Sequence, residues 1–534
     1  MGESDMSADW WRGAVIYQIY PRSFMDSDAD GVGDLKGITS KLDYVQSLGV
    51  DGVWLSPFFK SPMRDFGYDV SDYCEVDPLF GSLSDFDALV KAAHKRDLKV
   101  IIDQVWSHTS SDHEWFQASR QDRSNPKSDW YVWADPKPDG APPNNWQAWF
   151  GGPAWTWEPR RRQYYLHNFL PTQPDLNLRN EAARSAIFDI ARFWIARGVD
   201  GFRLDVANYF IHDAKLRDNP PSGDPNPGLP RDMQLHQYNS NQPETLELLN
   251  RLRDLLDGRG GVMTVGELAP GSYELMHQYT RGNRGLSTAY AFDFLRAWPG
   301  VERMAEVLSQ WREGPEDGWP SWAFSNHDVA RVSTRWGEAI GAPAGRAAVL
   351  FLSLLLSLRG TIFLYQGEEL GLPEADVPFE KLRDPWGING WPATKGRDGC
   401  RTPFPWKEEA NGGFTRAKEP WLPVDNRQRA LAAGKQEALT ESTLHTARKL
   451  IALRRAQPAL ARGAFKVLEA KDGQLSFERT AGAERIWCTF NFTNRQQTRA
   501  IPPGLPQVLW SAETVHNGGK LVMEPYGAAI LKLS

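Results

Sequence analysis

The sequence predicts an α/β protein built on a (β/α)8 TIM barrel, with a small inserted domain after the third strand and a C-terminal antiparallel β domain. Short apolar runs alternate with amphipathic helical segments, a rhythm typical of parallel βα units. A closed barrel of this kind requires eight strands. Eight candidate strands occur, at residues 15–20, 52–55, 100–105, 201–206, 262–267, 289–293, 322–325 and 361–365.

Helical segments fit between these strands. Residues 85–95 follow Ser84, whose side chain suits a helix N-cap. Residues 180–197 precede Gly198, a residue typical of the position after a helix. The most apolar run, residues 347–358, is too short to span a bilayer and predicts a buried helix.

Changes in composition and periodicity divide the chain into three domains. The barrel is assigned to residues 1–107 and 174–460. Residues 108–173 are rich in Trp, Pro, Asn and Gly and predict a loop-rich domain over the barrel mouth. Apolar residues recur with a period of two within residues 461–534, which predicts a β-sandwich-like C-terminal domain.

Two long segments within the barrel domain fit neither helix nor strand. Residues 213–243 are rich in Pro and Asp, and residues 373–426 follow the eighth predicted strand. Loops of that length in a compact protein usually form lids or walls of a functional site.

Composition excludes some partners and favours others. The net charge of −6 over 534 residues gives no basic footprint for nucleic acid or an anionic membrane surface. The 23 Trp favour a carbohydrate ligand, because flat aromatic faces stack on sugar rings, although Trp also fills large cores. Three widely spaced cysteines oppose a disulfide framework, and no signal peptide precedes the first strand. We therefore expect a cytoplasmic protein that binds neither nucleic acid nor membrane.

The segment GFRLDVAN contains the first catalytic candidate. Phe202 and Leu204 alternate with Arg203 and Asp205, so the two charged side chains point to the same side of the strand. A neighbouring cation keeps a carboxylate ionised, as a nucleophile must be. A purely structural Arg–Asp pair is the alternative for this motif alone.

Three further motifs place polar side chains at predicted strand ends, which meet at one face of a barrel. VMTVGEL contains Glu267, where burial would raise the carboxyl pKa and suit a general acid. FSNHD contains His327 and Asp328, and a second carboxylate can stabilise positive charge at an anomeric carbon. DQVWSH ends in His108, a candidate ligand for sugar hydroxyls.

Together the four motifs resemble the α-amylase superfamily, glycoside hydrolase family 13, in the expected order and over nearly the whole chain. The resemblance implies that Asp205 is the nucleophile, Glu267 the acid/base and Asp328 the transition-state stabiliser. The implied substrate-binding residues are Tyr68, His108, Phe169, Gln173, Arg203, His327 and Arg331. Ser107 stands where many members have Asn, which removes an amide but no catalytic group.

Other segments resemble the α-glucosidase and oligo-1,6-glucosidase branch of that family: GYDVSDY, QPDLN, FLYQGEELGL and GRDGCRTPFPW. In that branch an Asp and an Arg close the site around the non-reducing glucose, and the resemblance assigns these roles to Asp69 and Arg401. Such a pair would bind terminal hydroxyls and leave no room for further glucose units. The alternative is that the pair only ties two loops together.

The acidic turn MDSDADGVGD suggests a metal. Its alternating carboxylates and central Gly suit Ca²⁺, although a Gly replaces the Glu that would complete an EF-hand. The turn also resembles the structural calcium loop of the same branch. That resemblance implies the ligands Asp26, Asp28, Asp30, the Val32 carbonyl and Asp34. A solvated acidic turn is the alternative.

The predicted function is that of a retaining, exo-acting α-glucosidase. It would cleave short α-glucosides such as maltose, sucrose and isomaltose-type sugars through a covalent glucosyl-enzyme, with transglucosylation as a side reaction. Val206 favours α-1,6 linkages, whereas the segments around it favour mixed linkages that include α-1,4. The alternatives are a sucrose isomerase, a trehalose synthase or a dedicated transglucosylase on the same scaffold. The three acidic candidates argue against a non-catalytic relative, and the sequence leaves open whether the protein is a monomer or a homodimer.

Overall fold

The computed structural model describes residues 9–258, 260–269, 273–311, 318–517 and 519–534. Within them, eight parallel strands form the central sheet. They are Val15–Ile19, Gly52–Leu55, Lys99–Gln104, Gly201–Leu204, Met263–Leu268, Thr288–Ala291, Ser321–Trp322 and Thr361–Tyr365. All eight predicted strands are confirmed. The largest difference is in the seventh, which ends at Trp322.

The strands form a closed barrel. The first to sixth strands pair in sequence order, and the eighth pairs with both the first and the seventh. Between the sixth and seventh strands, Ala289 and Pro320 form a parallel bridge. The Ser321 hydroxyl strengthens this seam by donating to the carbonyl of Ala289 at 2.9 Å. The carboxyl ends of all eight strands therefore share one rim, where this fold places its active sites.

Helices follow the barrel strands around the outside. The α-helices are Leu35–Ser40, Leu42–Ser47, Leu83–His94, Glu114–Ser119, Glu181–Ala196, Glu244–Asp257, Tyr273–Thr280, Val301–Ser309, Val332–Ala339, Ala344–Ser357, Pro385–Gly390, Asn426–Arg429, Ala433–Ala438, Thr443–Ala456 and Pro458–Arg462. Ser82, rather than the predicted Ser84, caps the third of these, because Ser82 and Asp85 form a reciprocal capping box. Ala344–Ser357 is the buried helix that the apolar run predicts. Among the described residues, no single helix is long and apolar enough to cross a membrane.

The segment after the third barrel strand forms a small subdomain at the rim. Strands Trp133–Ala134, Gln163–Leu166 and Trp155–Glu158 pair in that spatial order as an antiparallel sheet. A separate hydrophobic cluster that includes Trp146 and Trp155 fills its interior. This inserted subdomain therefore has a small core of its own beside the barrel mouth.

The C-terminal strands pair antiparallel in one sheet. They are Ala464–Lys471, Gln474–Ala481, Glu484–Asn491, Gln497–Ala500, Pro506–Asn517 and Lys520–Leu533. The last strand pairs with three of the others and organises the sheet. The short strand Gln497–Ala500 was not predicted, because only Arg499 in it is buried and its residues show no apolar alternation.

Candidate active site

Arg203 is the centre of a carboxylate cluster at the barrel mouth. It is fully buried, and its Nη1 donates to Asp103 at 2.8 Å and to Asp205 at 2.6 Å. Its Nη2 donates to Glu267 and to the Tyr290 hydroxyl, the latter at 3.2 Å. One guanidinium therefore holds the carboxyl groups of Asp205 and Glu267 side by side, although they come from different strands.

The backbone at Val206, directly after Asp205, is strained. Its φ of 37° and ψ of 50° lie in the left-handed region, which β-branched residues rarely adopt. Strain of this kind costs on the order of 1–3 kcal/mol and persists only where the surroundings enforce it. Here the Val206 N–H donates to the carboxylate of Glu267 at 3.2 Å. The sharp turn that ends the fourth strand is thus tied to the neighbouring acid.

Burial and nearby charges determine the protonation of Glu267. Its side chain is only 4% exposed. Burial raises the pKa of Glu267 well above that of an ordinary carboxyl group; Arg203 opposes this effect, and Asp205 and Asp328 add to it. The protonated form therefore persists toward neutral pH, as a general acid requires.

Asp328 faces the cluster from the loop after the seventh strand. Its Oδ1 accepts hydrogen bonds from Arg401 at 3.0 Å and from Arg397 at 3.3 Å. Burial alone would raise the pKa of Asp328, but the charges that face it, including both guanidiniums, outweigh burial and lower the pKa. The site therefore retains an anion that can stabilise positive charge in a bound sugar ring.

Tyr68 and His327 form an aromatic wall beside these carboxylates. Their rings stack with centroids 5.4 Å apart and an interplanar angle of 2°. The Tyr68 hydroxyl lies 2.5 Å from Nε2 of His327 and donates to Asp103 at 3.0 Å. Burial lowers the pKa of His327 to about 3, so the ring is neutral at physiological pH. The Gln18 amide lies 2.8 Å from its Nδ1, which fixes the orientation of the ring.

His108 and Phe169 lie together on the side of the inserted subdomain, with ring centroids 5.1 Å apart. Nε2 of His108 lies 3.0 Å from the Tyr68 carbonyl, and its Nδ1 lies 2.9 Å from the Ser107 hydroxyl. Ser107 therefore provides a hydrogen-bonding partner for His108.

The predicted ion pair between Asp69 and Arg401 is wrong. The carboxylate of Asp69 is fully buried and accepts from two backbone N–H groups and from the Ser61 hydroxyl, each at 3.0 Å. These bonds use Asp69 to close a local turn. Arg401 donates instead to the carbonyl of His327 at 2.6 Å and to Asp328.

Asp65 and Arg397 form an ion pair between the two loops that also carry Asp69 and Arg401. Nη2 of Arg397 donates to Asp65 at 2.8 Å, while its Nη1 faces Asp328 at 3.3 Å. Asp384 accepts from Nε and Nη2 of Arg397 at 3.0 and 2.8 Å and so fixes the guanidinium plane. The sequence contained a signal for both residues, because RDFGYD holds two Asp and GRDGCR holds two Arg.

Two predicted substrate-binding residues make hydrogen bonds to other protein groups. Gln173 is fully buried, and its amide donates to Asp65 at 3.1 Å. Arg331 is 2% exposed and donates to the carbonyls of Gln366 at 2.9 Å and Cys400 at 3.1 Å. Gln173 therefore positions Asp65, and Arg331 ties two loops together; a contact of either side chain with a sugar stays a prediction.

The acidic turn after the first strand gathers three carboxylates. One oxygen from each of Asp26, Asp28 and Asp34 lies within 4.8 Å of the others. Asp30 is not part of this group; its carboxylate accepts from the Val32 N–H at 2.7 Å. A convergent set of carboxylate oxygens matches the ligand preference of Ca²⁺.

The barrel mouth holds a buried carboxyl group with a raised pKa beside a second carboxyl group. This arrangement is that of a glycoside hydrolase that works through two carboxyl groups. The chain belongs to the alpha-amylase family, because the family model for the alpha-amylase catalytic domain matches residues 18–463. The motif-based assignment to this family is therefore confirmed.

Individual relatives match over nearly their full length. A probable alpha-glucosidase of Rhizobium meliloti (strain 1021) is 50% identical over 506 residues, which cover 92% of this chain and 91% of that protein. An oligo-1,6-glucosidase of Heyndrickxia coagulans is 35% identical over 562 residues, with coverage of 98% and 99%. The solved structure of the alpha-glucosyl transfer enzyme XgtA superposes with a TM-score of 0.94 at 50% identity, covering 98% of this chain and 99% of that one.

Proposed function

We propose that the protein is a retaining, exo-acting α-glucosidase that hydrolyses short α-glucosides from the non-reducing end. The observation that carries the proposal is the single guanidinium of Arg203, which holds the carboxyl groups of Asp205 and Glu267 against one site. The names of the similar proteins support the choice of an α-linked glucose as the substrate.

The chemistry follows from these positions. Asp205 attacks the anomeric carbon while Glu267 gives its proton to the glycosidic oxygen, so the leaving sugar departs neutral and a glucosyl ester forms. Glu267, now ionised, takes a proton from water, which attacks the ester and releases glucose with its original configuration. Asp328 stabilises the oxocarbenium-like transition state between these states.

Exo-cleavage is supported by the pair formed by Asp65 and Arg397. Arg397 contacts Asp328 as well as Asp65, so the pair stands beside the site of the first glucose. Charged groups there would bind terminal hydroxyls and block a longer chain. This assigns to Asp65 and Arg397 the role that the sequence assigned to Asp69 and Arg401.

Product analysis tests the function. The protein is incubated with maltose, isomaltose, sucrose, trehalose and maltotriose, and proton NMR follows the products and their first-formed anomers. We expect free glucose from substrates that include maltose, and α-glucose first from sucrose, whose leaving sugar is fructose and adds no glucose anomer. First-formed β-glucose from sucrose would exclude retention, and a rearranged disaccharide without free glucose would favour an isomerase.

Glucosyl transfer is the second candidate, favoured by the likeness to the alpha-glucosyl transfer enzyme XgtA. Transfer differs from hydrolysis only in the second step, where a sugar or alcohol hydroxyl replaces water. The ratio of transferred to free glucose in the same NMR experiment, at rising acceptor concentration, separates the two activities.

Calcium and a cytoplasmic location complete the proposal. Asp26, Asp28 and Asp34 are the residues of the acidic turn that would hold a structural Ca²⁺, and the hardness of their oxygen atoms fits that ion. The free thiols of Cys74, Cys400 and Cys488 suit a reducing compartment. Size-exclusion chromatography with light scattering would decide between monomer and homodimer.

A further inference from the structure

The long loop of residues 213–243 docks on the inserted subdomain through buried polar contacts. The Asn239 amide donates to Asn168 at 2.8 Å, and the Asn145 amide donates to the Asn219 carbonyl at 2.9 Å. Further along the loop, His236 Nε2 lies 3.0 Å from the carbonyl of Arg231. These contacts hold Arg231 at the junction between the loop and the subdomain.

Arg231 is a buried cation with unused donors. It is 7% exposed, and its guanidinium carbon lies 3.3 Å from the centre of the Trp149 ring. Its Nε and Nη2 make no hydrogen bond within the described part of the chain. Within the described residues, Arg231 forms an ion pair with Asp232, whose carboxylate lies 3.8 Å from Nη1. Stacking on Trp149 thus leaves two charged N–H groups without acceptors.

Two neutral donors share this environment. Within the described residues, the Trp149 indole nitrogen and the Tyr209 hydroxyl are also buried and make no hydrogen bond of 3.5 Å or less. Burial raises the pKa of Tyr209; the charge of Arg231 and longer hydrogen-bonding interactions of the hydroxyl with Trp149, Ser240 and Arg231 oppose that rise, so these groups surround the Tyr209 oxygen. Unbonded buried donors are costly unless an oxygen atom of a ligand or water meets them.

The junction lies next to the catalytic centre. Tyr209 ends the short helix that begins directly after Val206, so it is four residues from Asp205. The ring of Phe169 lies 6.1 Å from that of Tyr209 and 6.3 Å from that of Trp149, and it also contacts His108. The donor cluster is therefore one aromatic ring away from the predicted glucose-binding residue His108.

We propose that Arg231 is a specificity residue that binds an oxygen of the leaving sugar. The proposal rests on the α-glucosidase function proposed above. Nε and Nη2 of Arg231 make no close hydrogen bond to a protein acceptor within the described residues. Such donors suit a ligand rich in acceptor oxygens, and a saccharide offers hydroxyl oxygens at positions where a nitrophenyl ring has none. Arg231 thereby favours saccharide over aryl leaving groups.

The test compares maltose with 4-nitrophenyl α-glucoside in Arg231→Met, which keeps an unbranched chain over Trp149 but removes every donor. We expect kcat/KM for maltose to fall about 10- to 100-fold, as for the loss of a hydrogen bond to a charged group. The value for the aryl glucoside should change less than about 3-fold, and Arg231→Lys should restore part of the maltose activity.

Arg217 provides a matched control in the same loop. Its guanidinium also lies over an aromatic ring, that of Tyr238 at 4.1 Å, but Asp213 accepts from its Nε and Nη2 at 3.0 and 2.9 Å. Arg217→Met should therefore leave the ratio of the two activities unchanged. A similar selective loss in this control, or equal losses on both substrates in Arg231→Met, would reduce Arg231 to a structural role.

Binding to a variant that cannot form the glucosyl ester separates this inference from the proposed function. Calorimetric titration of Asp205→Asn with maltose and with glucose needs no turnover. Adding Arg231→Met should weaken maltose binding about 10-fold or more and leave glucose binding nearly unchanged. Unchanged maltose affinity overturns the inference about Arg231, whereas failure of the unmodified protein to cleave any α-glucoside overturns the proposed function alone.

Discussion

The backbone N–H of Val206 donates to the carboxylate of Glu267 at 3.2 Å, so the residue after the proposed nucleophile is tied directly to the proposed acid. The same oxygen of Glu267 also accepts from Arg203, which holds Asp205 through its other terminal nitrogen. The two carboxyl groups are thus positioned by one backbone turn and one guanidinium. Burial raises the pKa of Glu267 despite its contact with Arg203, and this suits the acid role.

The acid role predicts a dependence on the leaving group. Glu267→Gln should lower kcat/KM for maltose by about 10²–10⁴-fold, because the glycosidic oxygen then departs without a proton. An aryl α-glucoside with a good leaving group should lose far less in the first step. Asp205→Asn is the control, and it should lose at least about 10³-fold on both substrates because no glucosyl ester forms. Equal losses in Glu267→Gln would contradict the acid role.

The raised pKa of Glu267 predicts the alkaline side of the pH profile. Burial favours the protonated form, so the acid is available below the raised pKa and is lost as pH rises through it. The alkaline limb of kcat/KM for maltose should therefore lie above the ordinary carboxyl range. The limb should disappear in Glu267→Gln when the residual activity on an aryl glucoside is followed, since no proton remains to be lost there. A limb that persists in that variant belongs to another group.

Periodicity was sufficient for the barrel but not for every part of the site. The eight strands were predictable because a parallel strand buried on both faces is a continuous apolar run. The sequence could not show that Asp65 rather than Asp69 pairs with an Arg, because both lie in one short segment. Only the fold directs Asp65 toward Arg397 and Asp69 into its own backbone turn. Arg331 donates to carbonyls that lie far from it in the sequence. The residues next to it in the chain therefore gave no sign that its side chain is buried.

The exchange of roles between Asp65 and Asp69 can be tested with two isosteric variants. Asp65→Asn weakens the partner of Arg397 and should reduce kcat/KM for maltose about 10- to 100-fold. Asp69→Asn leaves two backbone N–H groups facing an amide and should lower the free energy of unfolding by about 1–3 kcal/mol. Urea unfolding and steady-state kinetics on both proteins distinguish the two effects. Kinetic loss greater in Asp69→Asn than in Asp65→Asn would restore the assignment made from the sequence.

Binding of calcium to the acidic turn predicts a stability that depends on the ion and an activity that does not. Adding Ca²⁺ to the chelated protein should raise Tm by mass action, and Mg²⁺ should act more weakly because it demands a tighter octahedral site. Asp28 is the better position to alter, since it is exposed, whereas Asp26 also accepts from the Gly31 N–H at 2.9 Å and from Thr415.

Asp28→Asn should therefore lose most of the calcium-dependent rise in Tm while the chelated protein keeps nearly its original Tm. Asp26→Asn should lower Tm even without calcium, because internal hydrogen bonds of the turn are weakened as well. Differential scanning calorimetry with and without chelator measures both effects. If the unmodified protein has the same Tm in chelator and in millimolar Ca²⁺, the three carboxylates form a solvated turn, and hydrogen bonds alone hold them together.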